Sequence, residues 1–496
     1  MVRNIHRTES QILTRLFAGG GKFLVVPLDF AKAEHTAQCC IPDGDYVWKR
    51  PLRVWNNLRG VDFLLERVAG VCRKLRIKHE RVVFAGEDPS SFALPFVEEL
   101  MRRKASFVRV RATKAAEHRK SSLASSDNLD LDGIAHAVMK RFASDMEECD
   151  GLYARMRLAV RSRAQAVKQE TGTKSRIHQI VDRLFPGFLD DDKSGIHPFG
   201  PACLEVLKDS LTPKKVLAMK PDKLAAWLKK RGVWRAAATA EKLQALASTT
   251  VQAADSLADS LRESLSAKIV LLQAIRAEIA SEENEMARCL IQTPGTLLTS
   301  IPGIGLVYAS TLSAEYGDPR HWRRVKSMFA YAGCAQSQKQ SGGPDKQPVQ
   351  QGMPMSCNHR LKDCLLQAAF HAGTTPHQAA KRLPGLDDTH RLMRCWQALD
   401  ARGGHTRLGT ARTLLRIMHN MMQEKRIYLP DWWLQPEKYP APEPAQAAAW
   451  LDAATTAMEQ KWQGYNFDGI PDEVNQLKIW RKNADELINS LTAIPF

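Results

Sequence analysis

The sequence predicts a mixed α/β domain first, a helical middle next, and a mainly helical domain after it. Three observations carry that order. Short apolar runs alternate with helical patterns between Lys22 and Phe142, helical period dominates from about 145 to 292, and helical patterns resume around Gly- and Pro-rich loops after Pro294 and Gly295. Phe23 to Leu28 is an apolar run that ends at Asp29. Thr36 to Cys40 and Tyr46 to Val54 follow, with the turn Pro42-Asp43-Gly44-Asp45 between them, so the start reads as a meander of hairpin-linked strands. A helix from about Trp55 to Leu75 comes next, then a strand from Arg81 to Ala85 that ends at Gly86 and Glu87. A helix over Phe92 to Lys104 and a strand over Phe107 to Val110 complete the pattern. Three antiparallel strands followed by β-α-β units is the element order of an RNase H-like (RuvC-like) fold.

The helical middle breaks at Phe185-Pro186-Gly187 and at a loop over 190–201. Within it Leu257, Leu261, Leu265, Ile269, Leu272, Ile275, Ile279 and Met286 recur at spacings of three and four or their multiples, which predicts one long amphipathic helix. Its apolar stripe has two uses, packing on its own domain or a coiled coil that dimerises the protein. The expected organisation is a basic N-terminal arm over 1–21, the α/β domain over 22–145 and the helical region over 146–292. A second compact domain over 293–428 follows, then an extension over 429–496 whose role is open and which holds Trp432-Trp433 and a Pro-rich stretch over 436–444. No internal repeat is visible.

Composition narrows the class. The chain has 496 residues, with 71 Lys and Arg against 54 Asp and Glu, a formal charge of +17 that asks for a polyanion, nucleic acid first. At 44 % hydrophobic and 25 % charged it has apolar material for true cores, which excludes a small disulfide scaffold. No run of about 18 uncharged apolar residues occurs, so no transmembrane helix is expected. The ten cysteines show no CxxC and no HExxH is present, so reduced thiols in a cytoplasmic protein are expected.

Candidate chemistry gathers at strand ends. Asp29 follows the first strand and Glu87 a later one, and in open α/β sheets the carboxyl ends of strands face the ligand crevice. Asp127 and Asp130 open a helical pattern three residues apart and so share a face. Singly, Asp127 reads as an N-cap and Asp130 as a solvated first-turn acid, and Asp132 shadows Asp130. Together, four carboxylates repel unless hard cations neutralise them, and two Mg²⁺ ions clamping a phosphodiester is the usual resolution.

In the second compact domain Ile301-Pro302-Gly303-Ile304-Gly305 has the apolar-Gly-apolar-Gly hairpin of a helix-hairpin-helix, with Gly303 and Gly305 letting backbone amides approach a phosphate. Gly317 to Arg324 then places Arg320, Arg323 and Arg324 around Trp322, a set suited to phosphate and base contacts. Ala330 to Gly343 follows, containing Lys339 and a serine, Ser341, before a Gly pair; Ser337 lies four residues earlier. By composition alone Ser341 is an ordinary loop serine, because a hydroxyl needs a base, metal or cationic neighbours before it attacks phosphorus.

This set of residues resembles the DEDD transposases of insertion sequences, a family that includes Piv-type invertases and bridge-RNA-guided recombinases. Leu28-Asp29-Phe30-Ala31-Lys32 is similar to that family's opening motif, Glu87-Asp88-Pro89-Ser90 to its second, and Ser125 to Leu131 to its Asp-x-x-Asp motif. The Ile-Pro-Gly-Ile-Gly, Gly-Asp-Pro, Ala-Tyr-Ala-Gly and Gln-Ser-Gly runs are present, as is Asn-x-Arg-Leu-Lys at Asn358 to Lys362, which brings Arg360 into the candidate nucleic-acid-binding set. The resemblance implies a RuvC-like catalytic domain, a dimerising coiled coil and a transposase domain with a catalytic serine. It further implies that Asp29, Glu87, Asp127 and Asp130 hold Mg²⁺, that Ser341 forms a covalent phosphoserine with DNA, and that a homodimer or homotetramer carries a noncoding guide (bridge) RNA pairing with donor and target DNA. Two other readings remain: a metal-dependent Holliday-junction nuclease with Ser341 irrelevant, and a non-catalytic nucleic-acid-binding scaffold.

Overall fold

The central strand of the first sheet explains its own continuous hydrophobicity. In the computed structural model β1 (Leu24–Asp29) is covered on both faces, so both alternating sets of side chains must be apolar. Leu24, Val26 and Leu28 enter one core with Leu64, Val68, Phe96 and Leu100, whereas Val25 enters another with Ile134, Ala137 and Val138. The structure describes residues 10–87, 92–110, 115–116, 127–145, 151–209, 211–251, 254–319, 322, 325–335, 338–339, 349–350, 357–378, 383 and 390–492. They form two compact units, Met1–Asp150 and Gly151–Phe496.

In the first unit α1 (Gln11–Ala18) precedes β1, and β2 (Glu34–Ala37), β3 (Leu52–Trp55), α2 (Leu58–Leu75), β4 (Val82–Gly86), α3 (Leu94–Arg102), β5 (Ser106–Val110), α4 (Asp127–Met139) and β6 (Ala143–Asp145) follow. The sheet order is β3-β2-β1-β4-β5-β6, with β1, β4 and β5 mutually parallel and the remaining pairs antiparallel. This is a mixed α/β sheet, as the alternating pattern predicts. Details differ for local reasons. The helix expected from Trp55 starts at Leu58, because Asn57 caps it by accepting from the Gly60 amide at 2.9 Å while Trp55 pairs with Glu34 in the sheet. The strands expected over Thr36 to Cys40 and Tyr46 to Val54 are shorter: Gly44, at φ +95, closes a local turn, and Cys40 makes only isolated bridges to Val25 and Tyr46. Within the expected basic arm, α1 buries Leu13 and Leu16, three apart on one face. Its N-terminus is capped by Ser10 and by the Asp145 carboxylate, which accepts from the Gln11 amide at 2.7 Å.

The second unit is almost wholly helical. Its first part comprises α5 (Gly151–Leu184), α6 (Asp191–Ser194), α7 (Pro201–Lys208), α8 (Pro213–Ala218), α9 (Pro221–Lys229), α10 (Ala236–Thr249) and α11 (Asp255–Leu290). A 3₁₀ helix (Pro294–Ser300), α12 (Leu306–Tyr316), α13 (Val325–Tyr331), the short strands β7 (Gln338–Lys339) and β8 (Val349–Gln350), and α14 (His359–Thr374) follow. The last elements are α15 (Arg391–Asp400), α16 (Thr406–Glu424), α17 (Asp431–Leu434), α18 (Pro444–Gln460) and α19 (Gln476–Thr492).

The two long helices α5 and α11 lie antiparallel, as their cross-helix ion pairs show: Arg155 with Glu285 at 2.6 Å, Arg163 with Glu283 at 2.7 Å and Glu170 with Arg276 at 2.9 Å. One end of this pair is buried with α7 to α10, where Ile177, Val181, Leu265, Ile269 and Leu272 join Leu204, Leu224, Leu228 and Leu243. The other end, through Met156, Val160, Met286 and Leu290, enters the core of α12, α14 and α16. Most of the predicted apolar stripe is thus used inside the chain, while Leu257 at its start and Val270 and Leu271 beside it are exposed. No helix among the described residues is long and apolar enough to cross a membrane.

The segment beyond 429 is built into this unit. Trp450, Leu451, Met458 and Trp480 form a core with Leu297 and Ile427. Lys461 donates to the Thr299 and Ile304 carbonyls at 2.5 and 2.9 Å, and Trp462 donates to Thr299 Oγ1 at 3.0 Å. Trp450→Ala is therefore expected to lower unfolding free energy in denaturant titration by about 3–5 kcal/mol, whereas Leu158→Ala, at 72 % exposure, changes it by less than about 0.5 kcal/mol.

Candidate functional site

Strand register sets the acidic site of the first unit. β1 and β4 are parallel neighbours with Leu28 opposite Gly86, so the next residues, Asp29 and Glu87, stand side by side where the two strands end. Both are half-buried. Helix α4 packs chiefly on β1 through Ile134, Ala137 and Val138, and Asp130 lies half-buried in its first turn. Asp132, two residues on, accepts from the Tyr46 hydroxyl and so ties α4 to the 38–51 segment. Asp127 begins α4, but its side chain lies outside the described residues.

Phe30 closes one side of this strand end. Its ring contacts His35 at 5.2 Å and Phe107 at 6.3 Å between centroids, and a Cβ at Gly86 would stand 2.4 Å from its edge. Gly86 is therefore required by close approach rather than by backbone angle. The donor set is carboxylate oxygen only, which suits a hard divalent cation in kind. Among the described residues, no three His, Cys, Asp or Glu side chains form a group that could hold a metal ion. Gly86→Ala is expected to cost about 1–3 kcal/mol by overpacking, and Gly86→Ala combined with Phe30→Ala is expected to cost less than the sum of the two single changes, measured as a double-mutant cycle in denaturant.

In the second unit the construction centres on one buried acid. Glu315 is the only charged residue in α12 and is 2 % exposed. Its two oxygens accept from Arg161 at 3.0 and 3.1 Å, and Oε2 also accepts from Asn358 Nδ2 at 3.0 Å. The Tyr331 hydroxyl donates to the Glu315 carbonyl at 3.1 Å and accepts from Asn358 Nδ2 at 2.9 Å, while Asn358 Oδ1 caps α14 by accepting from Leu361 at 3.0 Å. Arg157 adds two bonds to the Ala314 carbonyl, at 3.1 and 3.0 Å. Burial pushes the Glu315 carboxyl up, but the hydrogen bonds from Arg161 and Asn358 and the charges of Arg161 and Arg157 more than offset it, leaving the group below its ordinary value.

This network fixes the chain that leads to the serine segment. Asn358 donates its amide to the Tyr331 carbonyl at 2.8 Å, and Arg412 donates to the Cys334 carbonyl at 2.6 Å. Gly333, at φ +64, lies where a Cβ would meet Cys357 Sγ at 2.7 Å. Trp322 stacks on Tyr316 at 5.2 Å and leans on Tyr331 at 5.1 Å. The strands β7 and β8 then pair antiparallel, Gln338 with Gln350 and Lys339 with Val349. Ser337, Ser341, Arg320, Arg323, Arg324 and the side chain of Lys339 lie outside the described residues.

The two hairpin glycines have different surroundings. Gly303 has φ +74 and sits against the His371 main chain, where a Cβ would come within 2.7 Å, whereas Gly305 precedes α12 with open space where a Cβ would be. The first arm of the hairpin is a 3₁₀ helix. Arg360 is exposed in the first turn of α14. Sequence reasoning missed Glu315, Arg161 and Arg412. For Glu315 a signal existed, a lone acid in an otherwise uncharged helix.

Because the Glu315 pKa is lowered in the folded state, its contribution is fully present above the ordinary carboxylate value and is lost as pH falls through the lowered one. Glu315→Gln is expected to lower stability by about 2 kcal/mol at pH 7, a figure reduced because Arg161 is 43 % exposed. The difference between wild type and variant should shrink below about pH 4, as read from thermal unfolding at several pH values.

The chain matches two family models. Residues 26–186 match a DEDD transposase model of the IS110 type, described as Transposase, and residues 295–383 match the Transposase IS116/IS110/IS902 family. The comparison with curated proteins yields no match. The two stretches together span about half of the chain, and they contain Asp29, Glu87 and Asp130 in one and Glu315, Ser341 and Asn358 in the other. The chain therefore belongs to the DEDD transposases of insertion sequences.

Proposed function

We propose that this transposase cuts and rejoins DNA strands with a Mg²⁺-assisted serine nucleophile, guided by a structured noncoding (bridge) RNA and acting as a homodimer or homotetramer. The observation that carries the chemistry is the register of β1 and β4, which puts Asp29 and Glu87 at adjacent strand ends beside the helix that bears Asp127 and Asp130. The order β3-β2-β1-β4-β5, antiparallel through the first three strands and parallel thereafter, supports an RNase H-like domain. Asp29, Glu87, Asp127 and Asp130 would hold the cation. When bound, Mg²⁺ neutralises charge on the phosphate oxygens.

The remaining steps belong to the chain. Gly305, Arg320, Arg323, Arg324, Lys339 and Arg360 bind phosphates and hold the strand, with Gly303 shaping the hairpin. Ser341 Oγ attacks phosphorus, its proton leaves, and the bond to the departing sugar oxygen breaks as that oxygen takes a proton. The phosphoserine conserves the bond energy. A sugar hydroxyl of the incoming strand then attacks phosphorus and gives up its proton, the bond between phosphorus and Ser341 Oγ breaks, and Oγ takes a proton.

The test is to purify the protein with its nucleic acid, sequence any RNA, and incubate the complex with Mg²⁺ and matching labelled DNA. A denaturing gel should show a protein–DNA adduct for wild type, reduced at least about a hundred-fold in Ser341→Ala and Asp29→Ala. Cleavage without adduct, indifferent to Ser341, points instead to a metal-dependent junction nuclease. Loss in Ser337→Ala but not in Ser341→Ala moves the nucleophile. Strand breakage with no need for Mg²⁺ overturns the acidic site.

A further inference from the structure

The region between the two family matches, 187–294, carries a feature that neither the acidic site nor the serine segment uses. Between Lys208 and Lys242 Lys and Arg occur ten times and Asp and Glu three times. That is a net +7 in 35 residues, a large part of the chain's +17. The turn joining α9 to α10 sits in the middle of this stretch, reading Lys229-Lys230-Arg231-Gly232-Val233-Trp234-Arg235. Trp234 is 94 % exposed, more than any other large apolar side chain among the described residues.

The turn is hydrogen-bonded and anchored in the core although its indole is bare. Val233 is buried in the core of α7 to α10, and the Gly232 and Val233 amides donate back to the Lys229 and Leu228 carbonyls at 3.1 and 3.2 Å. Gly232 has φ +79, which a glycine adopts without strain. Arg231 stacks on Trp227 at 3.7 Å, donates to the Trp227 carbonyl at 3.1 Å and pairs with Asp209. Arg231 and Asp209 therefore serve the fold. Lys229, Lys230 and Arg235 are exposed and make no ion pair with a described residue. An indole on a hydrogen-bonded turn is thus displayed among three cations with which no described residue forms an ion pair.

We infer that this turn binds an unpaired stretch of DNA, with one base stacked on Trp234 and flanking phosphates on Lys229, Lys230 and Arg235. Stacking on an aromatic face combined with a basic track is how single strands are held without regard to sequence. A duplex offers no free base face to an indole. A second copy of this surface is opposed by the same net charge, and one indole is far too small for a stable protein interface, which needs about 1,200 Å² or more. The choice of DNA rests on the reading of the chain as a strand-cutting transposase.

The full-length protein should be tested without Mg²⁺, which silences cutting, by fluorescence anisotropy against a labelled oligonucleotide of about 20 nucleotides. The probe is offered as single-stranded DNA, as duplex and as RNA of the same sequence. Trp234→Ala is expected to weaken single-stranded DNA binding by about five- to a hundred-fold and to leave duplex binding unchanged, with Trp234→Phe restoring most of the loss. Replacing Lys229, Lys230 and Arg235 together by Ala is expected to reduce the slope of log affinity against log salt by about two. Wild-type affinity in Trp234→Ala, an equal loss on duplex, or a loss confined to RNA each overturns the assignment. The adduct assay with Mg²⁺ reads the chemistry separately. Loss of the adduct with Trp234-dependent binding intact sinks the catalytic reading alone, and the reverse sinks only the strand site.

Discussion

Parallel pairing of β1 with β4 is the constraint on which the acidic site depends. Once Leu24 pairs with Val82 and Leu28 with Gly86, Asp29 and Glu87 have no freedom to separate. Strands lie about 4.8 Å apart, so the two acids leave the sheet as neighbours. The pairing is held by forces indifferent to charge, the two apolar cores that clasp the sheet through Leu24, Val26 and Leu28 on one face and Val25 on the other.

Glu315 is the opposite case. It is more deeply buried than Asp29 or Glu87, yet its charge is met by Arg161 and Asn358 and its own carbonyl by Tyr331. A buried charge answered on every side is a positional device, because each donor must stay in place for the group to remain ionised. Its partners come from α5, α13 and the start of α14, elements separated by up to two hundred residues in sequence. Helix α5 lies within the stretch matched by the first family model, while its packing places it in the second unit. The boundary of the compact units and the boundary of the family match thus fall in different places, since one follows burial and the other follows sequence.

Local pattern made the first sheet legible. Phe23 to Leu28 and Arg81 to Ala85 are short and largely apolar, and each forms a strand, the first ending on Asp29 and the second on Gly86 with Glu87 next in the chain. What escaped was set by distant partners. Asn57 moved the start of α2, and the pairing of Glu34 with Trp55 moved β2 and β3, neither of which alternation alone reveals. The segment after 429 reads as an appendage in sequence because its anchors are remote: Lys461 meets Thr299 and Ile304 across more than 150 residues. For Asp127, Ser337 and Ser341 legibility ends at the motif, since the described side chains stop short of them.

The glycine hairpin shows why a motif and its mechanism must be separated. Gly303 and Gly305 read alike in sequence, two glycines spaced for close approach to a phosphate. In the fold Gly303 answers to the protein itself, through a left-handed backbone and contact with the α14 main chain, so its absence of a side chain serves packing. Gly305 alone faces open space ahead of α12. Behind the hairpin, Lys461 holds the Thr299 and Ile304 carbonyls although burial brings its ammonium down to about 8. A lysine kept in so unfavourable a place, beside Trp462 bonded to Thr299, braces the loop from its inner side. The loop between Thr299 and Ile304 is thus braced by a residue far along the chain, while a Cβ at Gly305 would meet nothing within 4 Å.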